Sequence, residues 1–218
     1  GQRGACGAPR GTHVSGLAGL RRLRHRPRSE PEERCQLCAA ALGDVHAHLV
    51  MLETRALLCA CPPCHLLFGQ KGAGGGKYRA VPQRYLYQPV QLSPADWEAL
   101  QIPVRMAFLF RNSTLGRTVA FYPSPAGATE SLLALDTWKE IEARSPVLET
   151  MEPDVEALLV RGDPHGERLE TFLVPIDACY ELTGRVRRLW RGFDGGDEAR
   201  SELARFFAGL RSRCEAAA

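Results

Sequence analysis

Short runs of apolar residues recur along the second half of the chain, and polar residues typical of turns separate these runs. A short apolar run bounded by turn residues indicates a strand, and Gly, Pro, Asn and Asp between two strands indicate a hairpin. The pattern predicts two antiparallel hairpins, formed by residues 104–111 with 117–122 and by residues 155–160 with 169–174.

Helical periodicity is found between and after these hairpins. One face of the last segment carries five apolar residues at helical spacing: Ala199, Leu203, Phe206, Phe207 and Leu210. Shorter helices are predicted to begin at Ser93, Asp136 and Asp177, because these residue types accept hydrogen bonds from the first amides of a helix. Helices interspersed with two hairpins indicate an α+β domain with an antiparallel sheet over residues 78–214.

The front of the chain has a shorter pattern of elements. Strands are predicted at residues 48–52 and 56–60, and Pro62-Pro63 then suits the first turn of a helix that ends at Gly69. A Cys-x-x-Cys turn precedes this hairpin, and a second one opens the helix. The order of knuckle, hairpin and helix resembles treble-clef and zinc-ribbon-like modules, so we predict such a module over residues 34–70.

Composition adds a tail and a linker to these two folded parts. Residues 1–33 carry seven Arg, three Glu and few large apolar groups, so we predict a basic flexible tail there. A short basic helix around Leu17, Leu20 and Leu23 is the alternative for the tail. Residues 71–77 are rich in glycine, and we interpret them as a linker between the module and the α+β domain.

Two Cys-x-x-Cys pairs, separated by 22 residues, provide the strongest chemical signal: Cys35, Cys38, Cys61 and Cys64. Each turn aims two thiolates at one point, and two turns complete a tetrahedral metal site. We expect zinc, because the metal would stabilise a module that has little apolar surface to bury. The alternative is iron in a rubredoxin-like one-electron site. Rubredoxin knuckles usually have glycine after the second cysteine, where this chain has Ala39 and His65.

Four further donors lie close to these ligands in the sequence: Cys59, His65, His46 and His48. We expect Cys59 to face the core of the module as a small hydrophobic residue. The alternative is that Cys59 exchanges with a neighbouring cysteine as a metal ligand. We expect the histidines to cap helices or lie on the surface. His65, beside Cys64, is also a candidate hydrogen-bond partner of the site.

The sequence gives no sign of an active site or a membrane span. No Ser/His/Asp triad or catalytic carboxylate pair can be assembled, and the one Asn, Asn112, lies far from the module, which disfavours a His-Asn-His nuclease. We therefore expect no catalytic residues. The chain has no run of eighteen apolar residues, and its front lacks the apolar core of a secretory signal. Close cysteine pairs favour metal over disulfides, so we expect a cytoplasmic protein.

Six strings of the sequence are distinctive: Arg34-Cys-Gln-Leu-Cys38, Leu57-Leu-Cys-Ala-Cys-Pro-Pro-Cys64, Gly74-Gly-Gly-Lys-Tyr-Arg-Ala-Val-Pro82, Ala120-Phe-Tyr-Pro-Ser-Pro-Ala-Gly-Ala-Thr-Glu-Ser131, Val174-Pro-Ile-Asp-Ala-Cys-Tyr180 and Trp190-Arg-Gly-Phe-Asp-Gly-Gly196. They resemble a functionally uncharacterised, mainly actinobacterial family encoded beside genes for uptake NiFe hydrogenases and their maturation factors. The resemblance covers about residues 34–212 and implies a hydrogenase context.

Three functions remain open at this point. The first is a non-enzymatic metal-binding accessory or interaction protein of a NiFe hydrogenase, as an assembly factor or an extra subunit. The second is electron transfer through iron at the four cysteines. The third is a nucleic-acid-binding zinc module that uses the tail and the arginines around Trp190, namely Arg185, Arg187, Arg188 and Arg191. A net charge of +3 is too small to indicate nucleic acid by itself.

Overall fold

Two antiparallel sheets, one of three strands and one of six, form the framework of the protein. The computed structural model describes residues 32–132, 134–163, 168–192 and 195–217. The predicted tail and its alternative helix lie outside these residues, apart from positions 32 and 33. The α+β class predicted from the sequence is confirmed, because helices accompany antiparallel sheets.

The small sheet belongs to the cysteine module. It contains strands β1 (Ala47–Met51), β2 (Ala56–Ala60) and β3 (Tyr78–Ala80) in the order β2-β1-β3, and helix α1 (Pro62–Gly69) lies between β2 and β3 in sequence. The hairpin and the helix lie within one residue of their predicted positions. The third strand lies in the segment that we assigned to the second domain, and a 3₁₀ turn (Ala73–Gly76) occupies part of the predicted linker.

Glycine is required in the return from α1 to β3. Gly74 has a φ of 59°, in the left-handed region that favours glycine. A Cβ atom at this position would lie 3.1 Å from the ring of Tyr78 and 3.2 Å from the ring of Phe68. The glycine-rich segment therefore allows the chain to turn tightly against α1 before it enters the sheet.

The large sheet contains the two predicted hairpins at its centre. Its strands are β4 (Leu86–Tyr87), β5 (Met106–Asn112), β6 (Arg117–Ser124), β7 (Gly127–Ser131), β8 (Glu156–Gly162) and β9 (Leu169–Pro175). The order is β4-β9-β8-β5-β6-β7, and β5 pairs with β8, so the two hairpins lie side by side. Residues 125–126 form the turn between β6 and β7, and the polar residues on either side of this turn pair with one another.

Within the described part of the chain, four further α-helices accompany the large sheet: α2 (Pro94–Ala99), α3 (Leu135–Ala143), α4 (Ile176–Leu189) and α5 (Gly196–Ala217). The predicted cap of α2 is confirmed, because the Ser93 hydroxyl accepts a hydrogen bond from the Asp96 amide at 3.1 Å. The predicted caps Asp136 and Asp177 are wrong, because both lie inside the first turn of their helices. Among the described residues, none of the helices combines the length and apolarity needed to cross a bilayer.

Both faces of the large sheet are buried, and successive side chains of a strand project to opposite faces. In β5, Phe108 and Phe110 join the core on the side of α4 and α5, whereas Ala107 and Leu109 join the core on the side of α2 and α3. Trp138 of α3 is almost fully buried in the second core. Helices on both sides of one antiparallel sheet explain why its strands are apolar on both faces.

The cysteine module packs directly against the α+β part. Strand β1 alternates between two cores: Leu49 belongs to the cluster around the cysteines, and Val50 belongs to the core of the large sheet. Two polar contacts join the same parts. Arg79 Nη1 lies 3.0 Å from Asp154 Oδ2, and His48 Nδ1 lies 2.9 Å from Asp177 Oδ2. These contacts fix one face of the module and leave its cysteine side toward the outside.

Candidate metal centre

The first cysteine pair lies in a tight knuckle before β1. An isolated bridge between Arg34 and Ala41 closes this loop, and inside it the Cys35 amide donates to the Ala40 carbonyl at 2.8 Å. Ala39, the residue after the second cysteine, has a φ of 62°. The knuckle therefore adopts the left-handed turn that usually has glycine, although an alanine occupies the position. This geometry removes part of the sequence argument against a rubredoxin-like knuckle.

The second cysteine pair lies at the start of α1. Cys61 is the residue before the helix, Pro62 and Pro63 occupy its first two positions, and Cys64 is the third. Proline suits these positions because its φ matches the helix and its missing N–H has no helical partner there. The predicted placement of the second pair in the first turn of a helix is therefore confirmed.

The four sulfur atoms converge at one point. All of them lie within 4.8 Å of one another, and Cys38 Sγ lies 3.5 Å from Cys61 Sγ. A zinc ion with Zn–S bonds of about 2.3 Å needs tetrahedral sulfur–sulfur distances of about 3.8 Å. The 3.5 Å separation is close to that value and no separation among the four exceeds 4.8 Å, so the donor set fits a tetrahedral metal ion. Three of the cysteines are buried and Cys38 is exposed, so the site lies at the surface of the module.

The knuckle favours the thiolate at Cys35. Burial raises the pKa of this thiol, but the backbone amides of Cys61, Leu37 and Cys38 donate to its sulfur and lower the pKa to about 6. The amide of Ala40 and the side chain of Cys64 lower the pKa of Cys38, but the side chains of Cys61 and Cys35, together with burial, outweigh them and the pKa is raised. These N–H donors point at the place where a metal–thiolate centre would carry negative charge.

The helical side of the site has fewer donors. Burial, followed by the side chains of the other three cysteines, raises the pKa of Cys64 to about 12. In the knuckle, the backbone N–H groups of Leu37 and Cys38, two and three residues after Cys35, donate hydrogen bonds to its sulfur. The residue two positions after Cys61 is Pro63, which has no N–H. The two halves of the site are therefore unequal: Cys35 accepts three backbone hydrogen bonds, one of them from Cys61, whereas Pro63 cannot give Cys61 the counterpart of the Leu37 bond.

The four auxiliary residues separate into two sets. Among the described residues, two groups of three or more potential ligands converge: the four cysteines, and His46, His48 and Cys59. Cys59 is half-buried and belongs to the second group. His65 lies half-buried on α1 and belongs to neither.

Sequence reasoning did not identify Asp177 as the partner of His48. The two residues are separated by 129 positions, and their side chains meet only because β1 packs against the start of α4. No local pattern carries that information. Of the basic residues around Trp190, Arg185 pairs with both Glu181 and Glu202, whereas Arg187, Arg188 and Arg191 are exposed.

Comparison with known proteins gives one match. A model of a family of unknown function, DUF5947, matches residues 34–214. The match begins one residue before Cys35 and includes the cysteine module and both sheets. No curated protein and no solved structure matches the chain.

Proposed function

We propose that this chain, which belongs to the DUF5947 family, is a non-enzymatic accessory protein whose four-cysteine centre holds a structural zinc ion. The observation that carries the proposal is the convergence of four sulfur atoms within 4.8 Å. Four thiolates complete a tetrahedral shell and leave no position for water or substrate, which is typical of structural zinc. When bound, the ion would crosslink the knuckle to the first turn of α1.

The unequal donor pattern favours zinc over iron. Hydrogen bonds from backbone amides to the cysteine sulfurs tune the potential of iron–thiolate sites. Pro62 and Pro63 remove two amides next to Cys61, so the helical half cannot reproduce the bonds that Cys35 receives. A structural ion needs the four ligands but does not need such tuning.

Iron remains the second candidate because one half of the site has the geometry of an electron-transfer knuckle. Ala39 adopts the left-handed turn with a φ of 62°, and three amides donate to Cys35. The two metals are separated by elemental analysis and a visible spectrum of the purified protein. Absorption that bleaches on reduction supports iron, and a colourless protein with one zinc per chain supports the structural proposal.

Helix α1 presents two exposed apolar side chains. Leu66 and Leu67 are 66% and 65% exposed, and they follow Cys64 in the chain. The two leucines are adjacent in the helix, whereas Leu115 is a single exposed leucine between β5 and β6. We propose that this leucine pair contacts the partner, and that the metal fixes the helix that presents it.

The proposed partner is a subunit of a NiFe hydrogenase or one of its assembly factors. The support is the resemblance of six sequence strings to a family encoded beside such genes. The proposed compartment is the cytoplasm, because a reducing compartment keeps thiolates available for a metal. The proposed role is to stabilise or assemble the hydrogenase through contact.

The test is co-purification of the tagged full chain with hydrogenase subunits from a host that encodes both. We expect the wild type to enrich the subunits and the double variant Leu66→Ser/Leu67→Ser to lose them. The matched control is Leu115→Ser. Leu115 is also exposed, at 51%, but it lies between β5 and β6 and not on α1. Absence of enrichment for the wild type, or equal loss in the control, would refute the proposed contact.

A nucleic-acid interface is the weaker alternative. Arg185 pairs with Glu181 and Glu202, and its guanidinium lies over the ring of Phe206 at 5.5 Å from the centroid. These contacts reduce the positive charge available to phosphates. Binding to nucleic acid would have to weaken steeply with salt, which a titration at two ionic strengths measures.

A further inference from the structure

A second group of metal-ligating side chains lies on the β1–β2 hairpin and shares no residue with the four-cysteine centre. Its members are His46, His48 and Cys59, and one ligand atom from each lies within 4.8 Å of the others. All three are half-buried. The group therefore combines convergence with partial burial, and the Nε2 atom of His46 is itself buried.

The hairpin explains why these three residues meet. His48 of β1 lies directly opposite Cys59 of β2, and opposed residues in an antiparallel pair project on the same face. His46 precedes His48 by two positions, and their ring centroids lie 4.9 Å apart at an angle of 61°. The register of one strand pair thus places two imidazoles and one thiol together.

The hydrogen bonds of both histidines orient the other ring nitrogen for metal binding. His46 Nδ1 lies 3.0 Å from the Gly43 carbonyl oxygen, and His48 Nδ1 lies 2.9 Å from Asp177 Oδ2. A carbonyl or a carboxylate oxygen only accepts, so each neutral imidazole carries its proton on Nδ1 and its lone pair on Nε2. Metal-ligating histidines typically make this type of bond to a carbonyl or a carboxylate.

We propose that His46 Nε2, His48 Nε2 and Cys59 Sγ form a second metal site for a late first-row divalent cation such as Zn²⁺ or Co²⁺. Two imidazoles and one thiolate match the ligand preferences of these ions. Three protein ligands leave a fourth position for water or a small ligand, unlike the closed four-cysteine centre. Asp177 is a positioning residue, because it holds His48 from helix α4 without contacting the ion.

The proposed site gives the His48–Asp177 contact between β1 and α4 a second role. Without an ion, the His48–Asp177 bond joins β1 to α4 as a structural contact. With an ion, the same bond would set the orientation and basicity of a ligand, and the charge of Asp177 would strengthen metal binding. This inference goes beyond the proposed structural zinc and does not depend on which partner protein binds.

The first experiment measures stoichiometry on the full chain. The protein is dialysed against a chelator of moderate affinity, its residual metal is measured, and Co²⁺ is then added while bound metal and near-ultraviolet absorption are followed. We expect the tightly held ion to remain and one further ion per chain to bind, with a thiolate-to-cobalt charge-transfer band. A wild type that binds no cobalt beyond the first ion would overturn the proposal without reference to any variant.

The second experiment assigns the ligands. His46→Ala and His48→Ala should each lower the cobalt affinity of the second site by at least about tenfold, and Cys59→Ser should remove the charge-transfer band. Asp177→Asn should keep one cobalt at saturation but weaken its affinity by about 10- to 100-fold, as expected of a positioning residue. The tightly held first ion should be retained in all four variants.

The matched control is His65→Ala, which removes a histidine of the same module that lies outside the group. It should bind cobalt as the wild type does. Equal weakening in His65→Ala would show non-specific binding at histidines, and unchanged affinity in His46→Ala and His48→Ala would show that these side chains serve only as packing and junction contacts. Either result would overturn the second site.

Discussion

Replacement of Cys61 by serine removes one of four ligands while changing little else in the fold. Cys61 is buried and precedes helix α1, and its backbone N–H donates a hydrogen bond to the sulfur of Cys35. Serine keeps that amide and has a similar size, but its hydroxyl is a poor ligand for zinc. Cys61→Ser therefore tests the contribution of the metal rather than that of packing.

The expected loss follows from the small core of the module. Its own cluster contains only two buried residues besides three cysteines, namely Leu49 and Ala60. A structural zinc site contributes about 10 kcal/mol or more of binding free energy at neutral pH, which such a cluster cannot replace. We therefore expect residues 34–70 to unfold in Cys61→Ser, while the strands β5, β8 and β9, which have their own cores, stay folded.

Hydrogen exchange followed by mass spectrometry measures this difference segment by segment. The free energy of opening measured at the amides of β1, β2 and α1 should fall by at least about 4 kcal/mol. This corresponds to a roughly thousandfold larger opening equilibrium constant. Protection of β8 and β9 should change little. Strand β3 should lose protection partially, because it pairs with β1 but is also held by the Arg79 contact to Asp154.

The control is Cys59→Ser, which changes a cysteine outside the four. It should keep the first ion and the protection of α1. If Cys61→Ser stays folded and protected without metal, the metal does not stabilise the module. If both variants lose the first ion equally, the four ligands have been assigned wrongly.

Three further predictions concern the described contacts. Ala39→Gly should raise stability by up to about 1 kcal/mol in urea denaturation, because glycine adopts the left-handed turn without strain. Arg84→Ala should cost about 3 kcal/mol, because it removes the two-pronged contact to Glu156, which is 1% exposed. Asp96→Asn should cost about 1–2 kcal/mol at neutral pH, because hydrogen bonding by Arg144 lowers the pKa of Asp96 from 3.8 to about 2. Its contribution is present above pH 3.8 and is lost as the pH falls through about 2, so the variant should have a flatter acid profile there.

Each of these three expectations has a clear contrary result. A destabilised Ala39→Gly would mean that the knuckle turn is not strained. A loss below about 1 kcal/mol for Arg84→Ala would mean that the Glu156 carboxylate finds another partner or is neutral. An acid profile for Asp96→Asn that parallels the wild type would mean that the Asp96–Arg144 pair does not contribute to stability.

Much of this fold could be predicted from local patterns, because these patterns have local causes. The central hairpins are short apolar runs bounded by turn residues. The capping box of α2 satisfies amides within one turn, and the prolines of α1 avoid unpaired amides there. The two cysteine pairs were recognisable because each turn fixes the direction of its own thiolates.

Other features depend on contacts between distant residues. Strand β3 has three residues and joins the small sheet only through its pairing with β1. Strand β7 is a polar edge strand, which gives no alternating apolar signal. The His48–Asp177 bond connects residues 129 positions apart, so this contact could not be recognised from spacing. These features form because distant segments of the chain pair with one another, and local propensity does not predict such pairing.

Native mass spectrometry of the double variant His46→Ala/His48→Ala tests the central claim most directly, because this variant isolates the four-cysteine centre. The account predicts a folded chain that carries one zinc ion and has no disulfide among Cys35, Cys38, Cys61 and Cys64. A well-folded chain without metal, or a chain whose mass is lower by the hydrogens lost in disulfides between these cysteines, would contradict it.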